Sequence, residues 1–381
     1  MRLHSLTLAF IPLLWATSLQ AQIERIWLTH RTNDPSRIVI SWESAVPGNS
    51  VVHYHFGTEA ETTVTQQESE TIHQVEIPLT HQDGAYHYRV ETAGQSSAEA
   101  TFKAYPTDEL RVAIVGDWGY AKTNDIPGLY RDDVHLLLTA GDNVTSLHEK
   151  GLEGGKAFSA LIDRQPALFR STPFMPILGN HDKEVHPRGP QPPAEPVYDV
   201  NAKDYLSFFA LPDDQWKWHF DIPTFSVRFL ALDIEHIRDF GTTWQTCHAF
   251  DEASPQFQWF RSTMDVSKQS YIFSLMNEKQ TDLEGRTKGL WGKEFRKGSA
   301  LITGFGYFAE RAELEGGLPY FNTCIKGDGD PYKDSRSAFF AREDNYLLLT
   351  FRIGADHMRA ELKNLQGETL DLREIEERAG R

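Results

Sequence analysis

Cysteine is nearly absent from this chain: Cys247 and Cys324 are the only two in 381 residues. So low a count excludes a disulfide-built scaffold and gives no support to a zinc site made from cysteine. In an oxidising compartment the two can pair, closing a loop worth about 4 kcal/mol in the chain-entropy model. The alternative is two unpaired, buried thiols. Positive charge is also scarce, with 38 Lys and Arg against 54 Asp and Glu, a formal net charge of -16. That balance argues against a nucleic-acid partner, whose phosphates must be neutralised. It repels free phosphate esters too, so a phosphate substrate would need local positive charge, usually supplied by bound metal ions. An apolar run of the roughly 20 residues that a membrane span needs is missing. Leu6 to Ala16 is a shorter apolar core, followed by Ser18-Leu19-Gln20-Ala21. Residues 1–21 therefore read as an export signal, and the mature protein is expected to be periplasmic or extracellular with no membrane anchor.

What is present is enough apolar and aromatic material, 40% and 12% of the residues, to fill sizeable cores. The length suits two domains. From Ile23 to about Tyr105, β-branched and apolar runs recur at short spacing: Ile23 to Leu28, Arg37 to Trp42, Val51 to Phe56, His73 to Ile77, Ala85 to Glu91 and Ala98 to Lys103. Turn clusters such as Asn33-Asp34-Pro35-Ser36 separate them, which predicts a small β-sandwich over residues 22–105. After Pro106 strands alternate with helical stretches, the pattern of an α/β layer over 106–381. Strands are expected at Leu110 to Val115, Val134 to Thr139, Phe174 to Leu178, Phe225 to Ile234, Tyr271 to Met276 and Ala300 to Thr303. Ser254-Pro255 predicts a capped helix with Phe257, Phe260 and Met264 on one face.

The first three of those α/β strands end in Gly116-Asp117-Trp118-Gly119, Gly141-Asp142-Asn143 and Gly179-Asn180-His181-Asp182. Ligands bind outside the carboxyl ends of the strands in such sheets. A single Gly-Asp at a strand end is more often a turn device, but three in order point to a shared crevice. Oxygen donors of this kind suit hard cations, and a carboxylate between two ions can bridge them. In that reading Asp142 bridges, Asp117 holds one ion, Asn180 the other, and His181 contacts phosphate or protonates the leaving oxygen.

These motifs make the chain resemble the calcineurin-like metallophosphoesterases, specifically the purple acid phosphatase type. The likeness extends to Ile26-Trp27-Leu28-Thr29 and Tyr86-His87-Tyr88-Arg89-Val90, similar to that family's fibronectin-type N-terminal module. It implies two mixed sheets flanked by helices, with metals in the loops at one edge, and metal-dependent hydrolysis of phosphate esters. It also makes Asn180, His181 and Arg311 the expected substrate contacts. The chain departs from the family pattern in three places. Thr145 stands where Gly-Asp-x-x-Tyr has its tyrosine; the Tyr271 to Met276 strand runs into Asn277-Glu278 instead of a histidine; Gly-His-x-His is Gly304-Phe305-Gly306-Tyr307. Asn277, Glu278 and Tyr307 are the substitute ligands at hand, with His148 and His236 as more distant ones. Two carboxylates and an amide predict one ion rather than two, Mg, Mn or Ca rather than Fe or Zn, or none. Two functions follow: an exported phosphoesterase with a reduced metal site acting on a phosphate ester or other small anion, or an inactive relative that binds a polymer, anion or partner.

Overall fold

Alternation shapes the first module. Along Ala85–Thr92, Tyr86, Tyr88 and Val90 are buried while His87, Arg89 and Glu91 face outward, the two-residue period of a half-buried strand. The computed structural model describes residues 23–148, 150–186, 189–329 and 332–378. The export-signal segment, 1–21, lies outside them.

In the first module the strands are Ile23–Thr29, Arg37–Phe56, Thr62–Pro78, Ala85–Thr92, Gln95–Ser96 and Ala100–Lys103. The runs expected as two strands, Arg37 to Trp42 and Val51 to Phe56, form one long strand paired with Thr62–Pro78. Its register shifts around Gly48, a bulge that lets it bend from Ile23–Thr29 on one side to Ala85–Thr92 on the other. Leu28, Ile40, Trp42, Val52, Val75, Tyr86 and Phe102 share the resulting core.

The second module has two mixed sheets. One runs in the order Thr369–Glu376, His357–Asn364, Asn345–Arg352, Glu109–Val115, Leu136–Thr139, Phe174–Met175. The other runs Trp218–Ile222, Val227–Ala231, Tyr271–Met276, Ala300–Thr303, Leu318–Asn322, Ala309–Leu314, Ser337–Ala341. Val112, Ile114, Leu347 and Leu349 of the first meet Phe229, Phe273, Leu275 and Ile302 of the second in one core. The helices Pro255–Val266, Gln280–Thr287 and Leu290–Phe295 cover the outer face of the second sheet through Phe257, Phe260, Leu283 and Trp291. The Ser254 hydroxyl accepts from the Phe257 amide at 3.2 Å, with Pro255 in the first turn, as the sequence predicts.

Four strands are shorter than expected: Leu136–Thr139 and Ala100–Lys103 start late, and the other two have a local cause. Phe174–Met175 stops because Pro176 has no amide to donate to a ladder. Val227–Ala231 starts late because Pro223–Phe225 is a 3-10 turn and Ser226 has φ 52°. The modules are joined by aromatic packing: Trp27 stacks on Phe208 with centroids 4.3 Å apart, and His30 stacks on Phe220. Among the described residues no helix is long and apolar enough to cross a membrane.

Candidate metal centre

The carboxyl ends of both sheets converge so closely that side chains are excluded at the backbone crossings. A Cβ on Gly116 would lie 2.0 Å from the Thr323 carbonyl oxygen, and one on Gly179 would lie 2.1 Å from Asp142 Oδ1. Both glycines are thus required by close approach. Just beyond the strands, Asp117 and Asp142 adopt left-handed backbone, φ 54° and 52°, an uncommon conformation for a residue with a side chain. The loops are locked together by Asp117 N–H donating to the Gly141 carbonyl and Gly119 N–H to that of Asp142. Asp182 completes the frame, accepting from the Gly179 and Val144 amides and from the Asn143 side chain. The acid of the third motif is therefore a staple between loops.

Asp117, Asp142 and Asn180 are all buried here. Burial, and next the charge on Asp142, pushes the Asp117 carboxyl up to about 7. Asp142 is pushed well above the usual carboxylate range, first by burial and then by Asp182. Such a pair costs free energy when both members ionise, and a cation or a hydrogen-bond donor can relieve it.

Donors are what surround Asp117. The Cys324 thiol, kept protonated by burial and by Asp117 itself, lies 3.0 Å from Asp117 Oδ2. The Asn277 amide nitrogen lies 3.4 Å from Oδ1 and also donates to the Ala140 carbonyl at 2.7 Å and to that of Gly304. Asn277 therefore stitches together the ends of three strands with its side-chain N–H groups. Cys324 and Asn345 tie in the adjacent loop, with the Asn345 side chain donating to the Cys324 carbonyl. Both cysteines are buried free thiols, which answers the pairing question left open by sequence.

Around Asp142, Oδ1 accepts the His181 amide at 3.1 Å. The His181 ring lies against the Thr145 carbonyl through Nδ1, with the Tyr120 hydroxyl 2.9 Å from Nε2 and Asp142 Oδ2 4.0 Å away. Tyr120 packs against Tyr307 at 5.1 Å, and Lys326 Nζ stands 4.5 Å over the Tyr307 ring. Tyr120, Lys326 and Cys324 escaped the sequence reading because no short motif marks them.

Two substitutes, Glu278 and His148, and one substrate contact, Arg311, need correction. Glu278 does not reach the centre: its oxygens accept the Ile237 and Lys279 amides at 3.0 and 2.8 Å, and burial lifts its carboxyl to about 7. Tyr307 is at the mouth, packed on Tyr120 with Lys326 over its ring, and burial and then Asp117 push its hydroxyl pKa up. Arg311 points away to the other sheet, in a two-pronged ion pair with Asp371 at 2.5 and 3.0 Å. His148 bonds to the Ser146 hydroxyl, and Phe305 packs on Tyr332.

The donor set does not fit a two-ion centre. Hard cations take six or more oxygens, waters among them, with carboxylates carrying the charge, whereas the cleft offers two carboxylates for two ions, one of them, Asp117, already accepting from N–H and S–H groups. Among the described residues, three side chains of the His, Cys, Asp or Glu type converge at one place, which is on the first module and not here.

A calcineurin-like phosphoesterase family model matches residues 110–287. No curated protein matches the chain. Of solved structures, the chain is similar to PhoD, with TM-score 0.67 and 11% identity over 96% of this chain and 94% of that one. It is also similar to GAP50, the anchor in the inner membrane complex of Plasmodium, with TM-score 0.47 and 13% identity over 72% and 90%. A fibronectin type III domain of human contactin 1 aligns with TM-score 0.19 and 15% identity over 24% of this chain and 88% of that domain. The fold is that of PhoD, and a superfamily matched through 110–287 implies divalent metal chemistry. The three strand-end motifs all lie inside that match, so it is residues 110–287, the part of the chain that builds the cleft, that match the calcineurin-like phosphoesterase family.

Proposed function

We propose that this is an exported member of the superfamily in which two-ion phosphate ester hydrolysis has been lost or reduced to a trace, and whose cleft persists as a binding site for a small anion. The observation that carries the reading is the state of Asp117. Both of its oxygens face hydrogen-bearing groups of the protein itself, Cys324 Sγ at 3.0 Å and Asn277 Nδ2 at 3.4 Å. Each oxygen spends a lone pair on one of these groups, and the nitrogen of Asn277 is committed to the Ala140 and Gly304 carbonyls, so the protein itself offsets part of the charge at Asp117 that an ion would otherwise balance.

An anion at this mouth would be met by the Lys326 ammonium and the His181 imidazole, with the Tyr120 hydroxyl beside them. His181 is one-third exposed, so its ring can reach a ligand without rearrangement of the core. The test is hydrolysis of an aryl phosphate by the purified chain with Mg, Mn, Fe and Zn, alongside binding of inorganic phosphate. The reading expects turnover no greater than that of Asp142→Asn, and phosphate binding weakened in Lys326→Ala. Turnover that Asp142→Asn abolishes would establish the other function, a phosphoesterase with a reduced metal site.

A further inference from the structure

The convergence of ligand-type side chains on the first module lies outside the cleft and is unexplained by it. His55 on Arg37–Phe56 stands directly opposite His87 on Ala85–Thr92, and Glu99 immediately precedes the next strand, Ala100–Lys103. One ligand atom from each of the three lies within 4.8 Å of the others. The two imidazoles are stacked, with centroids 4.7 Å apart and planes 3° from parallel. Strand alternation fixes this, since the neighbours Tyr86 and Tyr88 are committed to the core.

The tautomer of His55 is set by its surroundings. Its Nδ1 lies 2.8 Å from the Gly57 carbonyl, which can only accept, so Nδ1 carries the proton and the Nε2 lone pair is left to bind. Holding one ring nitrogen on a backbone carbonyl is how ligand histidines are oriented. His87 Nδ1 and Glu99 Oε1 are 3.2 Å apart. A tetrahedral ion with bonds of about 2.0–2.1 Å would hold adjacent ligands about 3.3 Å apart. The cation on the same face, Arg89, is already neutralised by Glu61, with Nη2 to Oε1 at 3.1 Å, so it does not oppose a second positive charge. The chain as a whole, at -16, favours cations at its surface.

We propose that His55, His87 and Glu99 form a surface site for a borderline divalent cation of the zinc or copper class, separate from the Asp117 and Asp142 cleft. Two imidazoles and one carboxylate suit these ions and not Mg or Ca, which prefer oxygen alone. Three protein ligands leave a coordination position open to solvent or to a donor from elsewhere.

The test is calorimetric titration of the full chain with zinc chloride, run on Asp142→Asn so that the cleft cannot contribute an ion, with copper(II) EPR as the second readout. The site predicts one zinc per chain, affinity lowered about 100-fold by His87→Ala and about tenfold by Glu99→Gln, and a copper spectrum split by two nitrogens. Glu99→Gln changes an exposed side chain and guards against a folding defect in His87→Ala. Zinc binding unchanged in His55→Ala and His87→Ala would overturn the proposal. So would a loss in His87→Ala with none in Glu99→Gln, or copper coupled to fewer than two nitrogens.

Discussion

Asn277 acts as a hydrogen-bonded joint at the strand ends. Its amide nitrogen spans Asp117, Ala140 and Gly304, so three strand ends depend on it. Asn277→Ala should leave two buried carbonyls unpaired and destabilise the fold by about 2–4 kcal/mol, measured by urea unfolding. A loss under 0.5 kcal/mol, about the surface-substitution range, would mean that the joint is not there. Three buried histidines contribute to the acid sensitivity. Burial above all depresses His30, His73 and His135 to about 4, and Lys103 and Arg111 add to the effect at His135. A folded pKa below the unfolded 6.5 means that the unfolded chain takes up protons first, so stability is intact above about pH 6.5 and falls toward pH 4. For His30 alone this amounts to about 2 kcal/mol between about pH 7 and pH 5. Urea midpoints at the two pH values check it, with a smaller difference expected in His30→Gln. At this scale the sequence exposed Asp117, Asp142, Asn180 and His181, because each follows a strand within one short motif. It hid Cys324, which reaches Asp117 across 207 positions of chain and carries no local signal. It misdirected on Glu278 and Arg311, whose side-chain directions depend on the Ile237 turn and on Asp371 in another strand.

Among the elements, the loop after the third strand is held by a buried charge. Lys183 Nζ, fully buried, sits 2.7 Å from Asp233 Oδ1 and 2.6 Å from the Thr246 carbonyl, with Glu235 also in contact. Asp233 in turn bonds to the His248 amide, and Trp216 stacks on the His248 ring at 3.6 Å. Removing the ammonium leaves two carboxylates in the interior, so Lys183→Met should cost about 3–5 kcal/mol. A variant with wild-type stability would show that the carboxylates find other partners. Glu235 Oε2 has no hydrogen-bond partner, which makes this cluster dependent on the lysine. The strands and the Ser254-capped helix were legible because periodicity and caps are local. The early end of Phe174–Met175 follows from Pro176 and the late start of Val227–Ala231 from the left-handed Ser226, whose effects on pairing do not show in hydrophobic pattern alone.

For the whole molecule, two mixed sheets pack face to face and their strand ends converge, and the glycines at 116 and 179 allow an approach too close for any side chain. At these strand ends Asp117 faces N–H and S–H groups of the protein itself, which is the basis of the proposed loss of two-ion chemistry. The most direct test is aryl phosphate hydrolysis by the wild-type chain and by Asp117→Asn/Asp142→Asn, each saturated in turn with Mg, Mn, Fe and Zn. Indistinguishable rates from the two proteins in all four metals are predicted; a wild-type rate that rises with metal and collapses in the double variant would contradict the account.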